Sequence, residues 1–221
     1  MPDSRSGDPG SKASFQGKLN VPAGAPYTIT ELAILILITG TPGVGKSILA
    51  SKLSKKLDCQ HVDISTLVRR KKLYTRVDKK RRTLIADERR LKSAVNNLIR
   101  EDNNRCLVIS THFLGGYLPI RLVKYCFVLR LSPEKLRKRL VLRRWSRSKI
   151  RENVEAELIG VCQFEAIALL GRKKVHEVDT TGKSSTKVLG EVSNLVDGKK
   201  KDIGNAGVVD WLETYDLKTW G

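Results

Sequence analysis

The chain has 221 residues, enough for one sizeable α/β core with some decoration. Lys and Arg number 42 against 23 Asp and Glu, a formal net charge of +19 that excludes an acidic surface. Such a surface attracts polyanions such as RNA, or is simply a solvated basic surface. The longest strongly apolar stretch, residues 32–38, falls far short of the roughly 20 residues of a helical membrane span, and no signal peptide is legible, so a cytoplasmic protein without membrane contact is expected.

Residues 1–30 mix Ser, Gly, Pro, Lys and Asp with few aliphatic groups. They cannot bury enough apolar surface to offset the entropy of ordering, and read as a flexible extension. The run Leu32-Ala33-Ile34-Leu35-Ile36-Leu37-Ile38 then has the pattern of a strand buried on both faces. Similar runs follow at 106–109, 126–131 and 175–178, with a weaker one at 61–63. Between them, Leu49, Leu53 and Leu57 share a helix face, as do Ile150, Val154, Leu158 and Val161, and then Val188, Val192 and Leu195. Strands alternating with helices predict a parallel sheet covered on both sides, spanning residues 31–198. Residues 64–100 break the rhythm as an insertion that carries Arg69-Arg70-Lys71-Lys72 and Lys79-Lys80-Arg81-Arg82. Residues 199–221 form a basic and aromatic tail with Lys199-Lys200-Lys201, Trp211 and Trp220, either docked by its aromatics or free to bind a partner. None of Cys59, Cys106, Cys126 and Cys162 forms a CxxC pair, so buried free thiols in a reducing compartment are expected.

Gly40-Thr41-Pro42-Gly43-Val44-Gly45-Lys46-Ser47 fits the phosphate-binding pattern G-x-x-x-x-G-K-[ST]. It follows the strongest strand and opens the Leu49/Leu53/Leu57 helix, the context the pattern requires. Gly43 and Gly45 let the backbone turn tightly and present N–H groups. The helix N-terminus adds positive partial charge, Lys46 a full charge for the outer phosphates, and Ser47 a hydroxyl for Mg²⁺. These features predict binding of a nucleoside triphosphate such as ATP with Mg²⁺.

A second half of the site is expected as an acid at a neighbouring strand end. The run Val108-Ile109-Ser110-Thr111-His112 has none there. Ser110 offers only a weak hold on metal-bound water, and His112 either orients a water, touches phosphate or is structural. His61 and His176 read as structural. Arg139, Arg143, Arg144 and Arg147 suit a lid at 142–152 that brings charge to a migrating phosphoryl group, or else form a solvated or RNA-binding face. The turn 179–184 lies at a strand's carboxyl end, where it either contacts the base through its backbone or only caps the next helix.

Three runs together resemble the archaeal and eukaryotic adenylate-kinase-like ATPases of small-ribosomal-subunit maturation. They are residues 38–47, the stretch Ile150-Arg151-Glu152-Asn153-Val154-Glu155-Ala156-Glu157-Leu158, and Glu177-Val178-Asp179-Thr180-Thr181-Gly182-Lys183. The ending Val209-Asp210-Trp211-Leu212-Glu213 is similar to the archaeal branch. The resemblance implies a P-loop fold of nucleoside-monophosphate-kinase type, with a five-stranded parallel sheet, a monophosphate-binding insertion at 64–100 and a small lid. It implies Mg·ATP binding, phosphoryl transfer to AMP or other nucleoside monophosphates, and ATPase activity. It further implies a role in late rRNA processing, with a platform ribosomal protein and the pre-ribosome as partners. By position, nucleotide contacts fall on Gly43, Gly45, Lys46, Ser47, Ile48 and Arg143, and catalytic roles on Lys46, Arg143 and His112. The chain departs from the pattern in three places. Ile48 replaces a hydroxyl residue, Ser110 stands where an acid is frequent, and Arg143-Arg144-Trp145 replaces Arg-Gly-Tyr.

Overall fold

The structure, a computed structural model, describes residues 34–79, 83–101, 106–198 and 206–214. The expected extension at 1–30, Lys80-Arg81-Arg82 of the second basic run, Lys199-Lys200-Lys201 and Trp220 lie outside the described residues.

The elements follow in chain order. Strand β1 (Ile34–Thr39) leads into helix α1 (Lys46–Leu57), β2 (Gln60–Asp63) and α2 (Ile64–Arg70). The hairpin β3 (Tyr74–Asp78) and β4 (Thr83–Ala86) precedes α3 (Glu88–Glu101) and β5 (Cys106–Ser110). Then come β6 (Val123–Arg130), α4 (Pro133–Leu142), α5 (Arg147–Leu158), α6 (Val161–Leu170) and β7 (Val175–Asp179). Helix α7 (Ser185–Val196) and the single turn α8 (Trp211–Thr214) close the described chain.

Five strands form one parallel sheet in the order β2-β5-β1-β6-β7. Strand β1 shows why its sequence is aliphatic on every residue. Leu35 and Leu37 enter one core, with Val68 of α2, Leu91 and Val95 of α3 and Ala166 of α6. Ile36 and Ile38 enter the opposite core, with Leu49 and Leu53 of α1, Leu136 and Leu140 of α4, Val154 of α5 and Val188 and Val192 of α7. A strand with helices on both faces has no polar side, and each such buried Leu or Ile stabilises the fold by about 1.5–3 kcal/mol. The expected five-stranded, doubly covered P-loop fold is therefore present.

Three local features differ from expectation. Val161 starts α6 instead of continuing the α5 stripe, because Gly160 takes φ 70° and ends the run. The segment 64–100 is not merely a polar helix: it holds α2, the β3–β4 hairpin and α3. Its residues Arg69, Arg70, Lys71 and Lys72 are all exposed. Cys59 and Cys106 are bonded as a disulfide with Cα atoms 4.9 Å apart, against the expectation of free thiols. The cause is strand register. Gln60 of β2 pairs with Leu107 of β5, so the residues one step earlier are set side by side despite 47 positions of separation. Cys126 and Cys162 are free and buried, as expected.

Candidate active site at the P-loop

Parallel register fixes the floor of the site. Ser110 pairs with Ile38 and Asp63 pairs with Ser110, so the ends of β2, β5 and β1 finish in one row below the loop 40–45. The loop is pressed between neighbours. Gly40 has φ 135°, and a Cβ there would run into the Leu129 carbonyl of β6. At Gly43, with φ 107°, a Cβ would lie 2.9 Å from Leu136 Cδ1 and 3.0 Å from Leu140 Cδ2 of α4. Only glycine satisfies both the backbone angle and the space at these two points.

Lys46 is the first residue of α1, whose first turn contains no acid. The positive end of that helix is thus left to an anionic ligand. Lys46 Nζ donates to the Gly40 carbonyl at 2.6 Å and to the Thr41 carbonyl at 3.1 Å. Burial, aided by the Arg143 charge, lowers its pKa to about 8 against the pull of nearby Cys162, Asp63 and Glu157. Ile48 is 58% exposed in the first turn of α1, with no side-chain oxygen to offer.

The acid that the end of β5 lacks is supplied one strand away. Ser47 Oγ donates to Asp63 Oδ2 at 2.9 Å, and Ser110 Oγ donates to the same oxygen at 3.0 Å. The other carboxylate oxygen accepts the Thr66 N–H at 2.9 Å, so Asp63 also caps α2. Partial burial opposes its ionisation, but the hydrogen bonds from Thr66, Ser47 and Ser110 outweigh this and hold its pKa below the usual value. His61 Nε2 lies 3.0 Å from Ser110 Oγ. Since Ser110 gives its proton to Asp63, that nitrogen is the donor, which ties His61 into the site as a support. Sequence reading placed 61–63 on a strand but missed Asp63 as a site residue. The legible signal was an acid at the carboxyl end of a strand, directly before a helix.

A hydroxyl and a carboxylate that share a hydrogen bond form a hard-oxygen pair. That donor set fits Mg²⁺, which takes few protein oxygens and completes its shell from water and phosphate. Among the described residues no group of three His, Cys, Asp or Glu side chains forms a protein-only metal cage.

The other expected residues divide. His112 Nδ1 lies 3.3 Å from Ser65 Oγ, and the side chain is exposed at the rim. Partial desolvation and then the Lys46 charge lower its pKa to about 4, so it is neutral at pH 7. Arg139, not Arg143, is bonded to the loop: its Nη1 donates to the Gly43 and Val44 carbonyls at 3.2 and 3.3 Å. Arg143 caps the C-terminus of α4, exposed but close enough to act on Lys46 electrostatically. Arg144 takes φ 56°, with its N–H on Val141 O at 2.8 Å and the Trp145 N–H on Leu140 O at 3.4 Å. This paired ending needs the left-handed residue that glycine fills most easily, which is the physical content of the departure at 144. Trp145 leans on the core and carries Lys149 Nζ 4.3 Å above its ring.

The turn 179–184 is tied to the strand before α4. The Thr180 N–H and hydroxyl donate to Arg130 O, and Thr181 Oγ1 accepts the Ser132 N–H at 2.8 Å. Ser184 caps α7 by accepting the Lys187 N–H. His176 is buried beside Phe127, with ring centroids 5.5 Å apart, and lines the core, not the site.

Comparison with known proteins decides the family. A family model described as an AAA domain matches residues 36–160. A protein named "Putative adenylate kinase" from Methanosarcina acetivorans is 33% identical over 191 residues, covering 82% of this chain and 99% of its own length. The chain belongs to this adenylate-kinase-like family. Relatives of the same name from Methanocaldococcus jannaschii and Saccharolobus solfataricus are 32% and 37% identical, over 81% of the chain and 94% and 88% of theirs. The shikimate kinase of Bacteroides thetaiotaomicron shares the fold, with a TM-score of 0.50 at 11% identity over 74% of this chain and 98% of that one. The chain is thus a P-loop protein of kinase type. No helix among the described residues is long and apolar enough to cross a membrane.

Proposed function

We propose that the protein transfers the terminal phosphoryl group of ATP to a nucleoside monophosphate, AMP foremost, and also hydrolyses ATP. The observation that carries this reading is the contact of Ser47 with Asp63 beside Lys46, which completes a Mg·ATP donor set despite Ser110. In this reading the loop N–H groups and the α1 terminus hold the phosphates, and Lys46 spreads positive charge over the migrating group. Ser47 and Asp63 would hold a magnesium ion, which would supply positive charge against the phosphates. Arg143, at the exposed C-terminal end of α4, brings a second positive charge, and Arg139 keeps the loop carbonyls turned away from the phosphates. His112, neutral at pH 7, offers a hydrogen bond at the rim, not a charge. An oxygen of the monophosphate forms the new bond to phosphorus as the bond to the ADP oxygen breaks. Residues 64–100 would receive the monophosphate.

The same proposal extends to late maturation of the small ribosomal subunit and its rRNA, with a platform ribosomal protein as partner. The sequence resemblance, the +19 net charge and the exposed basic residues 69–72 support that extension. These charges also favour a second reading, in which nucleotide state switches the grip on RNA or a ribosomal protein with little turnover. One assay separates the readings. Purified protein is given ATP and Mg²⁺ with and without AMP, and ADP is followed. ADP that requires AMP supports the kinase; ADP without AMP, increased by RNA, supports the ATPase. ATP binding without turnover leaves the switch, and Lys46→Ala abolishes any true signal.

A further inference from the structure

Three runs that carry the family resemblance, 150–158, 177–183 and 209–213, meet at one buried cluster. Its centre is Arg130, the last residue of β6, with a side chain 2% exposed. Its Nε donates to Glu157 Oε1 at 2.8 Å, its Nη1 to Glu177 Oε1 at 2.6 Å, and its Nη2 to the Glu157 carbonyl at 2.9 Å. One guanidinium thus meets two carboxylates, both nearly closed to solvent. Burying such a group is costly unless further donors satisfy the carboxylate oxygens.

The chain near residue 210 supplies those donors. The N–H groups of Gly207 and Val208 lie 2.7 Å from Glu177 Oε2, and that of Val209 lies 3.2 Å from it. The indole Nε1 of Trp211 donates to Glu157 Oε1 at 3.1 Å, and its ring lies 6.0 Å from Arg130 Cζ. The other Glu157 oxygen faces the nucleotide site. It accepts the Thr41 hydroxyl at 2.6 Å, inside the P-loop. A single carboxylate therefore bridges the P-loop and the C-terminal segment, and the Thr41 carbonyl is one of the two that hold Lys46.

We propose that Glu157 is a positioning residue for the P-loop, and that the segment 207–211 acts through it as a strap that sets nucleotide affinity. Loosening the strap withdraws the indole donor and the backbone donors together. Glu177 Oε2 then has to find other donors, and Glu157 Oε1 keeps the Arg130 Nε–H and the Leu131 N–H but loses the indole, so the orientation of Glu157 that holds Thr41 is less tightly fixed. Thr41 is 1% exposed, so its hydroxyl has no solvent to turn to. This inference rests on the reading of the P-loop as a Mg·ATP site, not on turnover.

The test uses the full chain and calorimetric binding of a non-hydrolysable ATP analogue with Mg²⁺. Trp211→Phe keeps an aromatic ring and removes the N–H; Thr41→Val keeps the shape and removes the hydroxyl; Thr41→Ser restores it. Each of the first two should weaken binding about five- to tenfold, and the double variant no more than the worse single one. Thr41→Ser should bind as the native protein does. With Trp145→Phe and Trp220→Phe, Trp211 is the one remaining indole, and its emission should shift when the analogue binds. That shift should vanish on adding Thr41→Val. Native affinity in Trp211→Phe, effects that multiply, or a Trp211 loss seen only in urea stability would each overturn the proposal. A protein that binds the analogue with this coupling yet forms no ADP defeats the kinase reading and leaves the strap standing. A native protein that binds no analogue defeats both.

Discussion

Replacing Asp63 by Asn tests whether the carboxylate on β2 is the metal-side acid. The exchange keeps one oxygen in place for the Thr66 N–H, and Asn caps helices about as well as Asp, so α2 should keep its start. The loss falls on the other oxygen, which accepts Ser47 at 2.9 Å and Ser110 at 3.0 Å. Bonds to a charged acceptor contribute about 1.5–3 kcal/mol each, but an amide can donate to the same hydroxyls, so about 1–2 kcal/mol of net stability should go. The functional loss should be larger. Removing a metal-site partner typically weakens metal affinity by about 10–100-fold, so half-saturating Mg²⁺ in the ADP assay should rise by that factor. The acid limb of stability should change as well. The Asp63 pKa is depressed in the fold, so its contribution is present above the unfolded carboxylate pKa and is lost as pH falls through the lower folded value. Asp63→Asn should flatten that decline in urea unfolding below about pH 4. An unchanged Mg²⁺ requirement in a folded Asp63→Asn protein would refute the assignment.

Lys46 has a pKa of about 8, so ATP affinity in calorimetry should fall as pH rises through that value and the ammonium is lost. Because this folded pKa lies below the ordinary lysine value of 10.5, the unfolded chain holds its proton more tightly, and stability should rise with pH between the two values. Lys46→Met should therefore raise the melting temperature, by about 1 kcal/mol of stability, while abolishing ATP binding. Arg144→Gly should relieve a left-handed φ of 56°, a strain of about 1–2 kcal/mol, against which the greater freedom of unfolded glycine counts; a net gain of about 0.5 kcal/mol should show in the urea midpoint. Ser110→Asp should set a second carboxylate beside Asp63 and raise the carboxyl pKa of one of them. That variant should melt lower than the native protein in EDTA and recover when Mg²⁺ is added.

The P-loop and the sheet were legible because each rests on local pattern. A seven-residue aliphatic run and glycine spacing are visible along the chain, and both need only their immediate neighbours. Asp63 was not legible as a site residue because its role depends on which strand lies beside which. In sequence β2 follows β1, but in the sheet β5 stands between them. The Cys59–Cys106 disulfide was hidden for the same reason, since the register of β2 on β5 makes neighbours of residues 47 apart. Arg130 carried no signal at all. A lone arginine at the end of an apolar run looks like a strand boundary, and its burial becomes intelligible only when Glu157, Glu177 and the segment near 210 are brought around it. The lid arginines were read as one group, yet α4 ends among them: Arg139 faces the loop from within the helix, and Arg143 sits at its cap.

The position of Ser110 then takes on a different meaning. An acid at the end of β5 would stand directly beside β1, and Ser110 leaves that place without charge. Parallel strands lie about 4.8 Å apart, so Asp63 on β2 sits two strand spacings from β1. The gap is closed from above. Helix α1 packs over β5 and β2 as well as β1, which carries Ser47 toward Asp63 and away from the strand it follows. A small hydroxyl at 110 is what this arrangement needs. It shares the β2 carboxylate oxygen with Ser47, donates to it, and accepts from His61. An acid at 110 would instead require a cation to hold two adjacent carboxylates ionised. On the proposed reading the serine therefore does not empty the metal side of the site; the charge stands one strand away, on Asp63, and Ser110 helps to hold it there.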